Sequence, residues 1–307
     1  MTVDCHTHLS TFDHPGQSFT AIRDSLLATM AQQGIGCALV YPDSEPGTGV
    51  SDLDTTEEIV RPCPRLRMVG TTSIPLPDSG MIARLDALAA AGTIAGVKLY
   101  PGFELFYPDD RRCDPVYELC VRHRLPVVFH SGETMGEAWR EPYNHPDHIV
   151  QVARRFPALQ VVIAHFSQPH LEACRDAVLE CPNVHADISG LAHPEVERLC
   201  GEKAIARILE EVATRKPERV LFGTDWPIGG VEEHLRLVAA LPISDEARAL
   251  LLSGNAERVF ALGRPLFPLP MGESSDSWTR PGSGGCGTSR GAGAALRRGG
   301  CRPPRSR

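Results

Sequence analysis

Residues 160–167, Gln-Val-Val-Ile-Ala-His-Phe-Ser, hold the reading of the fold. Four apolar residues run without alternation and then give way to a histidine. A run of this kind suits a strand covered on both faces, as in a parallel sheet, rather than one with a wet side. Seven more segments read the same way: 2–9 (TVDCHTHL), 36–42 (GCALVYP), 67–74 (RMVGTTSI), 95–101 (AGVKLYP), 126–132 (PVVFHSG), 183–189 (NVHADIS) and 219–227 (RVLFGTDWP).

Helical spacing fills the intervals. Residues 18–33 are amphipathic and stop at Gly34, and 79–92 run from a Ser cap to a Gly. Residues 114–124 begin Asp-Pro, a favourable first turn. Residues 145–156, 169–180 and 194–215 continue the series. Eight strands, each followed by a helical stretch and recurring about every thirty residues, predict a (β/α)8 TIM barrel. A doubly wound open sheet is the competitor. It usually carries a Gly-rich phosphate loop after its first strand, and here that strand ends His-Thr-His-Leu.

The barrel is expected to span residues 1–263. Residues 264–307, rich in Gly, Arg and Pro, have too little apolar surface to offset their ordering entropy and read as a disordered tail. The net charge of −7 is uneven. Seven arginines against Glu273 and Asp276 give residues 272–307 a charge of +5, which leaves −12 on residues 1–271. An acidic body argues against nucleic acid as a partner. No apolar run is long enough to span a membrane, and a strand starting at residue 2 leaves no room for a signal peptide. Ten scattered cysteines without a CxxC pair suit a reducing cytoplasm. The expected partner is a small-molecule substrate, and the chain could form a homodimer.

Chemistry gathers at the strand ends. In residues 2–9, extended backbone would put Asp4, His6 and His8 on one face. Two imidazoles so placed can converge on a cation or can simply be hydrogen-bonded. Lys98, His130, His165 and Asp225 likewise lie at the ends of their strands. In a barrel these ends share one mouth. Burying a polar group without a partner costs a few kcal/mol, so six of them at one mouth call for a common partner, and a divalent cation serves all.

The segments DCHTH (4–8), GVKLYP (96–101), FHSGE (129–133), IAHFS (163–167) and FGTDWP (222–227), in this order, resemble the amidohydrolase superfamily. The similarity is greatest to its amidohydrolase-related branch of small metal-dependent hydrolases and aminocarboxymuconate-semialdehyde-decarboxylase-like enzymes. It runs from Thr2 to Gly263. The resemblance implies that His6, His8, His130 and Asp225 ligate one divalent metal ion, and that His165 stands near the substrate. Nitrogen and carboxylate donors with an open position suit Zn²⁺, and Mn²⁺ or Fe²⁺ fit the same donors. In binuclear relatives a strand-four lysine is carboxylated and bridges two metals, which leaves a second ion held by Lys98 as the lesser alternative.

The implied function is a metal-dependent hydrolase that uses a metal-bound hydroxide on a C–N or ester/lactone bond of a small molecule. Asp225 would accept the proton of the attacking water, and His165 would stabilise the oxyanion or protonate the leaving group. The alternative is a non-oxidative metal-dependent decarboxylase, a lyase acting on an unsaturated or aromatic acid. Lys98, Glu133 and Arg140 are the candidate substrate contacts. Glu133 could equally cap its turn, and Arg140 could equally be solvated. His145 and His148 read as a helix start, His123, His185 and His234 as surface or packing residues, and Asp187 and Ser189 as hydrogen-bonding groups at the mouth.

Overall fold

The structure is a computed structural model that describes residues 1–263 except Asp13, Pro46, Leu76–Asp78 and Met135. Eight parallel strands follow one another around a single sheet in chain order. They are β1 (Thr2–Thr7), β2 (Ile35–Val40), β3 (Leu66–Thr71), β4 (Ile94–Leu99), β5 (Val127–Phe129), β6 (Val161–Ile163), β7 (Val184–Asp187) and β8 (Val220–Leu221). The ring closes where β8 meets β1. The Cys5 amide donates to the Phe222 carbonyl at 2.9 Å, the Asp225 amide to His6 at 2.8 Å, and the His8 amide to Trp226 at 2.7 Å. Eight parallel strands alternating with helices make this a TIM barrel. The expected tail, 264–307, lies outside the described residues.

Helices α1 (Phe19–Gln33), α2 (Leu53–Val60), α3 (Ser79–Ala90), α4 (Asp114–His123), α5 (Pro146–Arg155), α6 (Leu171–Glu180), α7 (Pro194–Cys200), α8 (Glu202–Arg215) and α9 (Val231–Ala240) cover the outside. The first follows its sequence signals closely. Ser18 accepts from the Ala21 amide at its start, and Gly34 ends it with a φ of 72°. Residues 194–215 form two helices rather than one, because Gly201 breaks the run at a φ of 83°. Helices α2 and α9 complete the ring where the apolar spacing is short. No helix among the described residues is long and apolar enough to cross a membrane.

Two apolar layers hold the barrel. The larger lies between strands and helices and includes Ile22, Leu26, Met68, Leu99, Phe129, Ile163 and Leu209. The smaller fills the interior with Val3, Cys5, Leu39, Val69, Val128, Val162 and Leu221. Alternation separates the layers in β5, where Val127 and Phe129 face out while Val128 faces in, whereas β1 has a register shift between Asp4 and Thr7, the stretch that holds Cys5 and His6. Ala256, Val259 and Phe260 join the inner layer. The strand ends opposite them carry the polar groups.

Candidate active site

Strand β1 presents His6 as its inward residue near the mouth, fully buried, with His8 just beyond the strand. Each imidazole has one nitrogen committed. His6 Nδ1 lies 2.9 Å from Asp187 Oδ2, and His8 Nδ1 lies 2.9 Å from the Tyr41 carbonyl. A carbonyl and a carboxylate can only accept, so both rings carry their proton on Nδ1 and keep a lone pair on Nε2. Both lone pairs face Asp225, whose Oδ1 is 3.7 Å from His6 Nε2 and 3.3 Å from His8 Nε2. A histidine whose far nitrogen is anchored in this way is the usual form of a metal ligand.

Asp225 owes its position to a backbone few residues adopt. Its φ is 66°, so the chain turns sharply after β8 and aims the carboxylate back across the mouth. Burial pushes its carboxyl up, yet the nearby His165, His8 and His6 hold it well below the usual carboxylate range. Burial also lowers His6, to about 3, and lowers His130 and His165. The mouth is therefore built to hold neutral imidazoles around an ionised acid.

Among the described residues, two groups of side chains could hold a cation: His6, His8 and Asp225, and His6, His165 and Asp187. Hydrogen bonds distinguish them. Asp187 is occupied by His6, by the His165 and Ser189 amides, and by the Ser189 hydroxyl. The first group has its donor atoms facing one another, and two lone pairs beside a carboxylate fit a divalent ion. Lys98, fully buried on β4, places its Nζ 3.3 Å from His6 Nε2 and over the rings of Tyr41 and Tyr100. Burial lowers its ammonium to about 8.

The other expected site residues are placed as follows. His130, after β5, turns its Nε2 to the Glu133 carbonyl at 3.0 Å, which leaves Nδ1 as its lone pair. Its ring centre is 5.0 Å from that of His165. His165 lies 4.8 Å from His6, ring to ring. It opens a run of three left-handed residues with Phe166 and Ser167, and this is why β6 stops at Ile163, short of the expected 167. The Glu133 carboxylate accepts from the Gly136 amide, the capping role. The Arg140 guanidinium donates to the Phe103 and Gly102 carbonyls at 2.9 and 3.3 Å and pairs with Glu137.

Asp187 and Ser189 take a larger part than their sequence suggests. The Ser189 hydroxyl donates to Asp187 and so accepts from His165 Nδ1 at 2.8 Å. Asp187 thereby orients His6 directly and His165 through Ser189. The signal in the sequence was an acid at the end of a strand, inside HADISG, with no local partner.

A model of the amidohydrolase family matches residues 3–262. The chain belongs to the amidohydrolase family. Over 215 residues it is 28% identical to the L-fucono-1,5-lactonase of Burkholderia ambifaria, an overlap of 62% of this chain and 70% of the lactonase. A TIM-barrel protein of Bordetella bronchiseptica, 23% identical, matches 86% of this amidohydrolase and 99% of its own chain with a TM-score of 0.70. A dihydroxybenzoic acid decarboxylase of Polaromonas, solved with manganese and 2-nitroresorcinol, is 16% identical and matches 86% and 98% of the two chains with a TM-score of 0.59. The protein is an enzyme of the amidohydrolase type.

Proposed function

We propose that this amidohydrolase opens the ester of a small lactone with water, using one divalent metal ion held by His6, His8 and Asp225; His130, expected as a further ligand, lies in neither group of described residues that could hold a cation. One observation carries this reading: His6 and His8 each have Nδ1 fixed by an acceptor, so both Nε2 lone pairs face one carboxylate. The lactonase relative supports ester hydrolysis as the reaction class. A bound ion of this kind supplies Lewis acidity, polarising a carbonyl and making water acidic near neutral pH.

The protein's own groups manage the protons. Asp225 is ionised, half-buried and at the mouth, so it orients the attacking water and accepts a proton from it. His165 donates through Nδ1 to Ser189, which leaves Nε2 as a base. In that tautomer it takes the proton that Asp225 removed from the water and returns it to the leaving ring oxygen. Neutral imidazoles suit this cycle, because a permanently charged one could not accept.

Turnover of a 1,5-lactone in ¹⁸O-labelled water, beside elemental analysis, tests the reading. Wild type should hold about one equivalent of a divalent transition metal and place one labelled oxygen in the ring-opened acid. His6→Ala and Asp225→Asn should lose both metal and turnover. Unlabelled product with release of CO₂ from an aromatic acid would replace hydrolysis with decarboxylation.

A further inference from the structure

Eight large apolar side chains are exposed among the described residues, and six of them leave the same end of the barrel. Phe12 follows β1, Phe103, Leu105 and Tyr107 follow β4, Trp139 follows β5, and Ile228 follows β8. Scattered exposed apolar residues need no explanation, but a ring of them around a catalytic mouth does. The ring is continuous with the reacting groups. Phe103 packs on His130 with ring centres 4.5 Å apart, and Trp226, next to Asp225, packs on His14 at 5.4 Å.

The same loops are poor in permanent cations. In sequence, the segments joining each strand to its next helix contain three arginines, Arg111, Arg112 and Arg140, and no lysine. Each arginine is already engaged. Arg111 pairs with Asp114, and Arg112 pairs with Asp110. Arg140 braces the rim: it holds the Phe103 carbonyl, pairs with Glu137 and lies 4.8 Å over the Trp139 ring. Lys98 is turned inward onto His6. Asp43, Glu45, Glu104, Glu133, Glu137 and Glu141 meanwhile make these loops acidic. A substrate carboxylate at the rim would meet no unengaged guanidinium and a field of its own sign.

We infer that the substrate is a lactone that carries an apolar substituent and no carboxylate, the substituent lying against Phe103 and Trp139 while the ring reaches His165 and Asp225. The inference rests on the lactone reading and extends it from reaction to substrate class. It separates this protein from barrels that bind acids and from those that bind bare polyol rings. A ring substituent that displaces water from two aromatic faces gains binding in proportion to the apolar area covered.

The test uses the metal-loaded full chain with four lactones of the same ring size: unsubstituted, pentyl-substituted, polyhydroxylated as in a sugar lactone, and carboxylated. The pentyl lactone should exceed the unsubstituted one in kcat/KM by about tenfold, and the carboxylated one should fall about tenfold below it. Phe103→Ser and Trp139→Ser should each raise KM for the pentyl lactone several-fold with its kcat held within about twofold. Highest kcat/KM on the sugar or carboxylated lactone would overturn the inference and leave lactone hydrolysis standing. Absence of turnover on all four would overturn both. If a second copy covers the rim instead, both serine variants would turn a dimer into a monomer with no change in KM, which also overturns it.

Discussion

His6 Nδ1 and Asp187 Oδ2 lie 2.9 Å apart although 181 residues separate them in the chain. The contact joins the first strand to the seventh and fixes which nitrogen of His6 faces the mouth. Asp187→Asn keeps the size of the side chain but removes the charge that orients the imidazole. Metal affinity should drop about 10–100-fold, as for other partners that orient a ligand from behind. Titration with a competing chelator reads this directly. Unchanged affinity would show that His6 needs no such support.

Much of this was legible in the chain. Unbroken apolar runs such as 161–164 gave parallel strands, and the recurrence of those runs gave the barrel. The strand ends gave His6, His8, His165 and Asp225 as neighbours. Exact strand ends were less legible, because His165 and Asp225 adopt left-handed backbone that residue type does not announce. The work of Arg140 was hidden too, since its acceptors are backbone carbonyls at 102 and 103, which no side-chain pattern marks.

Thr224 and Asp4 fasten β8 to β1. The Thr224 hydroxyl donates to Asp4 Oδ2 at 2.7 Å, its amide donates to Oδ1 at 3.0 Å, and the hydroxyl also accepts from the Trp226 amide. All three residues are buried. Thr224→Val keeps the shape but leaves a carboxylate oxygen and an amide short of a partner. The cost should be about 2 kcal/mol, read as a fall of about 5 °C in Tm for a chain of this size. A Tm within 1 °C of wild type would mean that the closing backbone bonds suffice (a shift of about 0.3 kcal/mol at most).

Gly132 must remain glycine. Its φ is 91°, and a Cβ there would sit 2.0 Å from the Gln168 carbonyl oxygen. That carbonyl accepts from the Glu133 amide, so the β5 and β6 loops meet at this point. Asn144 clamps the same residue, donating to its carbonyl and accepting from its amide at 3.0 Å each. Gly132→Ala should cost about 3 kcal/mol and separate the loops bearing His130 and His165. Both Tm and kcat should fall. Retention of kcat at a lowered Tm would show that the loops act independently.

His185 gives the fold an acid limit that belongs to no reacting group. It is fully buried on β7, with Nε2 on Gln160 at 2.9 Å and Nδ1 without a hydrogen-bond partner among the described residues. Burial, then Arg219 and Arg258, lower its pKa from 6.5 to about 3. Unfolding therefore takes up a proton at His185 between these values. Its contribution to stability is intact above about pH 6.5 and is lost as pH falls toward 3, with a slope of at most ~1.4 kcal/mol per pH unit. Denaturant unfolding at pH 7 and pH 5 measures the difference. His185→Leu cannot take up that proton, so the fall in stability between the two pH values should be smaller by about 1–2 kcal/mol than in wild type. Equal falls in the two proteins would assign the acid sensitivity to other buried histidines, with His234 on α9, lowered chiefly by burial, the next to replace.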